Sequence, residues 1–249
     1  MSSETPGLWS DVSFDFSDRT VLITGGTSGI GRGFAEGFRQ AGARVLVTGT
    51  RSADTYEGLE GLEHRRLLVH DAEAVTALAG ELDVVDVVIN NAGTLTREPS
   101  ELEPEGFNKT IAVNLTGAFQ VCHAFKPHLS RSSGSIINIA SMMSYFGSRQ
   151  MPGYSASKGA IVQLTKSLAI AWAGDDIRVN AIAPGWIESN MTRSMVENPE
   201  RSDPIVARTA MGRWGVPDDC TGAALFLASD AAAFITGATL NVDGGYSIS

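Results

Sequence analysis

A run of five residues, Thr20-Val21-Leu22-Ile23-Thr24, passes without a break into Gly25-Gly26-Thr27-Ser28-Gly29-Ile30-Gly31, and an amphipathic stretch follows to about Gln40. Strand, glycine turn, helix: this order constrains the chain more than any other feature. A strand that hands over to a helix in this way needs a parallel neighbour, and the helix has to cross the sheet to reach it. The chain then repeats the unit. Gly42 ends the first helix, and Arg44-Val45-Leu46-Val47-Thr48 reads as the second strand. Leu67-Leu68-Val69-His70 reads as the third, and Val85-Asp86-Val87-Val88-Ile89-Asn90 as the fourth. A long helical stretch from about 104 to 129 precedes Ser135-Ile136-Ile137-Asn138-Ile139, and a helix from about 154 to 173 precedes Arg178-Val179-Asn180-Ala181-Ile182. A last helix, 217–228, leads to Thr239-Leu240-Asn241-Val242. Continuous apolar strands separated by helices predict an α/β domain, a doubly wound parallel sheet with helices on both faces.

No repeat or low-complexity linker divides the 249 residues, so the reading is a single domain over residues 18–249 behind an N-terminal extension, residues 1–17. The rhythm breaks only between 186 and 215, a stretch with no strong period. It follows a strand's carboxyl end, where such sheets bind ligands, and so reads as a substrate lid. The 19 basic residues against 28 acidic give a net charge of −9, which argues against a nucleic-acid partner. Cys122 and Cys220 lie far apart with no paired spacing, as expected of free, buried thiols in a cytoplasmic protein. No apolar run is long enough for a membrane span, and the start lacks the apolar core of a secretory leader. His64, His70, His123 and His128 have no metal-ligand spacing, so no metal is expected.

The glycines after the first strand let the backbone turn tightly and approach a pyrophosphate, whose charge the amides of the next helix receive. A cofactor ribose would then be read about 20 residues further on. There the chain has Gly49-Thr50-Arg51 and no carboxylate before Asp54, which suits a 2′-phosphate better than a diol. Asn90-Asn91-Ala92-Gly93 closes the fourth strand with small residues against which an adenosine can lie. In Tyr154-Ser155-Ala156-Ser157-Lys158 the tyrosine and lysine are four apart and share a helix face. An ammonium beside a phenol lowers its pKa, making Tyr154 a candidate general acid or base for a carbonyl or alcohol.

The glycine turn, the Asn90-Asn91-Ala92-Gly93 segment, and Tyr154 with Lys158 together resemble the short-chain dehydrogenase/reductase family, in particular its 3-oxoacyl-carrier-protein reductases and sugar-acid dehydrogenases. Ser141, thirteen residues before the tyrosine, Asn114, Pro184-Gly185 and the Val242-Asp243-Gly244-Gly245 ending extend the match from about Asp18 to Tyr246. The resemblance implies a Rossmann-type fold and transfer of hydride between a nicotinamide cofactor and a secondary alcohol or ketone. It implies Tyr154 as proton donor or acceptor, Lys158 on the nicotinamide ribose, Ser141 on the substrate oxygen, and Asn114 holding a water that links Lys158 to solvent. Gly25, Thr27, Ser28, Gly29, Ile30 and Gly31 would surround the pyrophosphate, and Asn91, Ala92 and Gly93 the adenosine side. Ile187 and Ser189, just after Pro184-Gly185, would bind the carboxamide. The family's acidic contact to adenine is ambiguous here: Asp71 is the candidate, and it is equally well placed to cap a helix.

With Thr50 and Arg51 in the ribose position, NADP is the expected cofactor, with NAD as the alternative on a sugar-acid or hydroxyacyl substrate. Met143, Phe146, Met151, Trp186, Met191 and Met195 around the lid point to a partly apolar small-molecule substrate. The rival of another class is a catalytically silent NADP-binding regulator. The apolar surface of the two long helices, and the habit of relatives, predict a homotetramer.

Overall fold

The chain runs β1 (Thr20–Thr24), α1 (Gly29–Gln40), β2 (Arg44–Gly49), β3 (Glu63–Arg66), α2 (Ala72–Glu81), β4 (Val87–Asn90), α3 (Pro104–Ile111), α4 (Ala118–Ser132), β5 (Ser135–Ile139), α5 (Pro152–Trp172), β6 (Arg178–Pro184), α6 (Arg193–Val196), α7 (Pro199–Arg208), α8 (Pro217–Ala228) and β7 (Thr239–Val242). These elements come from a computed structural model that describes residues 13–249. All seven strands are parallel and form one sheet in the order β3-β2-β1-β4-β5-β6-β7.

Alternate residues of each strand supply opposite cores, as the two-residue period of a strand requires. Val21, Ile23, Val45 and Val47 meet Phe34 and Phe38 of α1 and Leu225 of α8. Leu22, Leu46 and Val88 meet Leu78 of α2, Phe125 of α4 and Leu168 and Trp172 of α5. Each such fully buried side chain contributes about 1.5–3 kcal/mol. A polar ladder crosses the sheet's centre: Asn90 Nδ2 donates to Asn138 Oδ1 at 2.9 Å, and Asn138 Nδ2 to Thr165 Oγ1 at 2.9 Å. The strand order reverses between β1 and β4, so the connections after them leave in opposite directions and open a cleft at their carboxyl ends.

Several expectations are corrected. The third strand is Glu63–Arg66 and not Leu67-Leu68-Val69-His70. It is the sheet's edge, where charged side chains are normal and apolar ones are not required. The apolar run leaves the sheet after one further bond, Leu67 N–H to Gly49 O at 2.8 Å. The fourth strand starts at Val87; the Asp86 carboxylate instead accepts from the Thr20 amide at 2.8 Å. The long helix from 104 is interrupted by a π-helical segment, Ala112–Gly117. The lid is not structureless, since it carries α6 and α7, and Trp214 and Ile205 within it are buried. Its two ends are pinned together. Ile187 bridges Gly215, Gly215 N–H donates to Trp186 O at 2.9 Å, and the Trp186 and Trp214 rings meet edge-on at 5.6 Å. Of the expected extension, residues 1–12 lie outside the described residues. Phe16 is buried against Phe38, ring centroids 4.8 Å apart, so packed structure begins before Asp18.

Candidate active site

The cleft at the carboxyl ends of the strands encloses about 560 Å³. The turn after β1 forms its floor. Gly25 (φ +64°) and Gly29 (φ +55°) occupy the left-handed region that favours glycine. A Cβ on Gly31 would run into the Asn91 amide and the Gly25 carbonyl. The Asn91 side chain braces this turn, donating to Thr24 O at 3.1 Å and Gly25 O at 2.9 Å, while Thr24 Oγ1 accepts the amides of Asn91 and Ala92 at 3.1 and 3.0 Å. The backbone is thereby held open toward the start of α1, and the N-cap residue Ser28 keeps its hydroxyl free of any capping bond. A glycine cradle at a helix N-terminus fits a diphosphate.

Thr27, Ser28, Gly29 and Ile30 line the cleft, as do Gly25, Thr50, Arg51, Asn91, Ala92, Gly93, Ser141, Tyr154, Lys158, Pro184, Gly185, Ile187 and Ser189. Three expected site residues stand back. Gly31 lies behind the turn, and Asn114 and Asp71 are off the wall. Asp71 caps α2, its Oδ1 accepting from the Ala74 amide at 3.0 Å. Leu67, Leu68, Val69 and His70 form the neighbouring wall of the cleft, with Leu68 exposed. The Asn114 side chain is engaged on both ends: Oδ1 accepts the Thr94 amide at 2.7 Å, and Nδ2 donates to Thr94 O at 2.9 Å and Ser157 Oγ at 3.1 Å.

Two features had no signal in the sequence. Tyr56 folds back over the end of β2, where a Cβ on Gly49 would approach its hydroxyl at 2.6 Å. Its hydroxyl accepts the Arg51 amide at 3.1 Å, and the Arg51 guanidinium lies 4.7 Å from its ring centroid, a cation–π contact. Lys109 of α3 also lines the cleft.

At the other end, Ser141 follows β5. Its Oγ accepts from Met143 N at 3.1 Å, and Ser144 Oγ donates to the carbonyl of Lys158 at 2.7 Å, tying this loop to α5. Lys158 is buried, with Nζ donating to Ile139 O at 2.6 Å and standing 5.7 Å from the Tyr154 ring centroid. Burial pushes its pKa down to about 8. Burial also raises Tyr154 above its ordinary value; the Ser141 hydroxyl opposes the rise and the charge of Glu101 adds to it. Both cysteines are buried and free, their pKa values pushed up to about 12 by burial.

Of the six apolar residues expected at the substrate rim, only Met191 lines this space. Phe146 and Trp186 instead meet Tyr246 edge-on, with Arg208 over the Phe146 and Tyr246 rings. A side branch opens off the cleft through Gly93, Thr94, Asn190 and Met191, and its wall carries Arg97, Arg193, Ser194 and Glu197. No helix among the described residues is long and apolar enough to cross a membrane.

Comparison with known proteins places this architecture among enzymes. A family model described as enoyl-(acyl carrier protein) reductase matches residues 25–247. The chain is 39% identical over 249 aligned positions to a 2-dehydro-3-deoxy-D-gluconate 5-dehydrogenase of Pseudoalteromonas atlantica, covering 94% of this chain and 97% of that one. It is 39% identical to a galactitol 2-dehydrogenase (L-tagatose-forming) of Cereibacter sphaeroides, with 94% and 97% covered. Among solved structures, a gluconate 5-dehydrogenase from Burkholderia cenocepacia, crystallised with NADP and tartrate, superposes with a TM-score of 0.86 at 33% identity, covering 95% of this chain and 98% of that one.

Proposed function

The chain belongs to the short-chain dehydrogenase/reductase family, and from that premise we propose that it transfers hydride between NADP(H) and a secondary alcohol or ketone of a sugar acid. The observation that carries the substrate class is the side branch with Arg97 and Arg193 in its wall, beside the Tyr154 end of the cleft. A carboxylate held there by guanidinium leaves a polyhydroxy chain running toward Ser141 and Tyr154. The relatives compared above act on sugar acids or a polyol by name, which supports the same class.

The bound dinucleotide supplies the hydride acceptor or donor. The chain's own residues do the rest. Tyr154 takes the alcohol proton in oxidation and returns it in reduction. Ser141 holds the substrate oxygen by hydrogen bond. Lys158 reaches the nicotinamide ribose, and Asn114 holds a water that passes protons between Lys158 and solvent. Ile187 and Ser189 bind the carboxamide. Arg51, kept over the Tyr56 ring, faces the 2′-phosphate, while Thr50 adds a hydroxyl.

The protein assembles as a homotetramer in the cytoplasm. Ile170 on α5 is 82% exposed, and Phe119 and Phe234 are exposed as well, apolar surface that a symmetric partner would cover. Two free, buried thiols suit a reducing compartment.

The decisive experiment follows NADPH absorbance over a panel of sugar acids, polyols and 3-oxoacyl thioesters. Turnover on sugar acids, lost with Arg97→Ala mainly through KM, is the expected result. Turnover on thioesters alone would overturn the substrate class, and thermal stabilisation by NADP with no turnover on any compound would favour a silent regulator. Light scattering at the mass of a single 26.3 kDa chain would sink the tetramer.

A further inference from the structure

Glu101 lies in the loop that leads into α3 and is only 2% exposed. Its carboxylate accepts from three donors on three parts of the fold, none of them a cation. Oε1 takes the Thr96 amide at 3.1 Å and the Thr110 hydroxyl at 2.9 Å, and Oε2 takes the backbone N–H of Tyr154 at 2.8 Å. The Thr110 and Thr96 hydroxyls are themselves 2.8 Å apart. Gly153 makes the approach possible, since a Cβ there would come 3.2 Å from Oε2 and 3.3 Å from the Phe107 backbone. A buried anion without a cation is tolerated only when its oxygens are well bonded. This one has its three hydrogen bonds and the positive end of α5, whose first turn contains Tyr154.

We propose that Glu101 is a positioning residue for Tyr154: it seats the first turn of α5 against the 94–101 loop and α3, and its carboxylate opposes loss of the phenol proton. The inference rests on Tyr154 as the acid/base group. The other charged groups on this side of the cleft are Lys158 on α5 itself, Lys109 on α3, and Arg97, Arg193 and Glu197 in the side branch. Neutral Ser141 faces the phenol from the end of β5. Among these charged groups Glu101 is the buried anion, and its effect on the phenol runs in the direction the charge requires, upward. The geometry also explains a division of labour. Lys158 is anchored on β5 through Ile139, whereas Tyr154 is anchored on the α3 side through Glu101, so the pair is fixed from two directions.

The test compares wild type, Glu101→Gln, Thr110→Val and Tyr154→Phe. Tyrosinate absorbance, taken as each protein minus its Tyr154→Phe counterpart, reads the phenol directly without cofactor or substrate. The pH profile of kcat/KM for sugar-acid oxidation reads it in the loaded enzyme. Removing the anion favours the phenolate, so Glu101→Gln moves both curves to lower pH. Thr110→Val keeps the charge, costs melting temperature, and leaves the curves in place or slightly higher. A Gln variant whose Tyr154 titration coincides with wild type would overturn the inference, as would Thr110→Val moving the curves downward. Should the Gln variant fail to fold, the Thr110→Val result still decides. If Tyr154→Phe retains turnover, the catalytic reading fails by itself, while the tyrosinate titration still reports on Glu101.

Discussion

The two ends of the cleft are built on different terms. At the Tyr154 end four polar side chains are tied to other elements: Glu101 to the Tyr154 amide, Ser144 to the Lys158 carbonyl, Lys158 to Ile139, Asn114 to Thr94 and Ser157. At the Arg51 end the side chain is exposed and its partner is a ring, Tyr56, that comes from a connecting loop and not from the sheet. The first arrangement holds its side chains by hydrogen bonds from several elements at once. The second holds a charge near a position and lets solvent screen it. The chemistry is therefore rigidly specified and the cofactor preference is adjustable.

The sharpest way to break this contrast is Tyr154→Phe, which removes the transferable proton but no packing. Turnover should fall by about 10²–10⁴, the range acid–base groups supply. NADP affinity, read by fluorescence titration, should stay within about threefold, less than the loss of one hydrogen bond. Equal losses in both would mean that Tyr154 holds the cofactor and does no proton transfer.

Lys158→Met is expected to abolish turnover and yet stabilise the fold. The lysine's pKa is lowered from 10.5 to about 8, so below pH 8 the folded state carries a buried charge that the unfolded chain holds in water. That difference corresponds to about 3 kcal/mol, less the hydrogen bond to Ile139. Between the two pKa values the unfolded state binds more protons, so wild-type stability rises with pH there. The advantage of the Met variant should accordingly be largest at neutral pH and shrink between pH 8 and 10. Thermal melts over that range check it, and a variant less stable than wild type at pH 7 would show that the lysine is a structural asset.

These residues also mark how far the sequence can be read. Strand β1, helices α1 and α8, and strands β5 and β7 were legible because β-branched runs, glycine stops and proline starts all agree locally. Tyr154 and Lys158 were legible because four-residue spacing puts them on one face. β3 was not, because an edge strand such as Glu63-His64-Arg65-Arg66 gains its stability from pairing with β2 and carries no apolar pattern. The lid helices are short, and Pro199 and Pro204 blur their period. Glu101 sits among Glu98, Glu103 and Glu105, and nothing local separates the buried carboxylate from the solvated ones.

A smaller effect is expected at the other end of the cleft. Arg51→Ala should cost about 1.5–3 kcal/mol of NADP binding, or one to two decades, almost wholly in KM and with NAD unaffected. Raising the salt concentration should reproduce part of that loss in wild type and none of the loss in Tyr154→Phe. Smallest of all, Asp71→Ala should lower stability by about 0.5–2 kcal/mol through the lost helix cap and leave the KM for NADP unchanged. A rise in that KM would return Asp71 to the adenine.

The pinned ends of the lid have a consequence for how the enzyme can be altered. Trp186 and Trp214 meet across the base and Gly215 bonds back to Trp186, so the two ends of the lid are closed on each other. Closing a longer loop over the same base costs little, only about 0.6 kcal/mol for each doubling of its length. Length can therefore change at the junction of α6 and α7, around Glu197 and Asn198, at small cost, while buried Ile205 and Thr209 and the Met211 amide, which donates to Gly244 O at 3.0 Å, keep the rest of the lid packed on the domain.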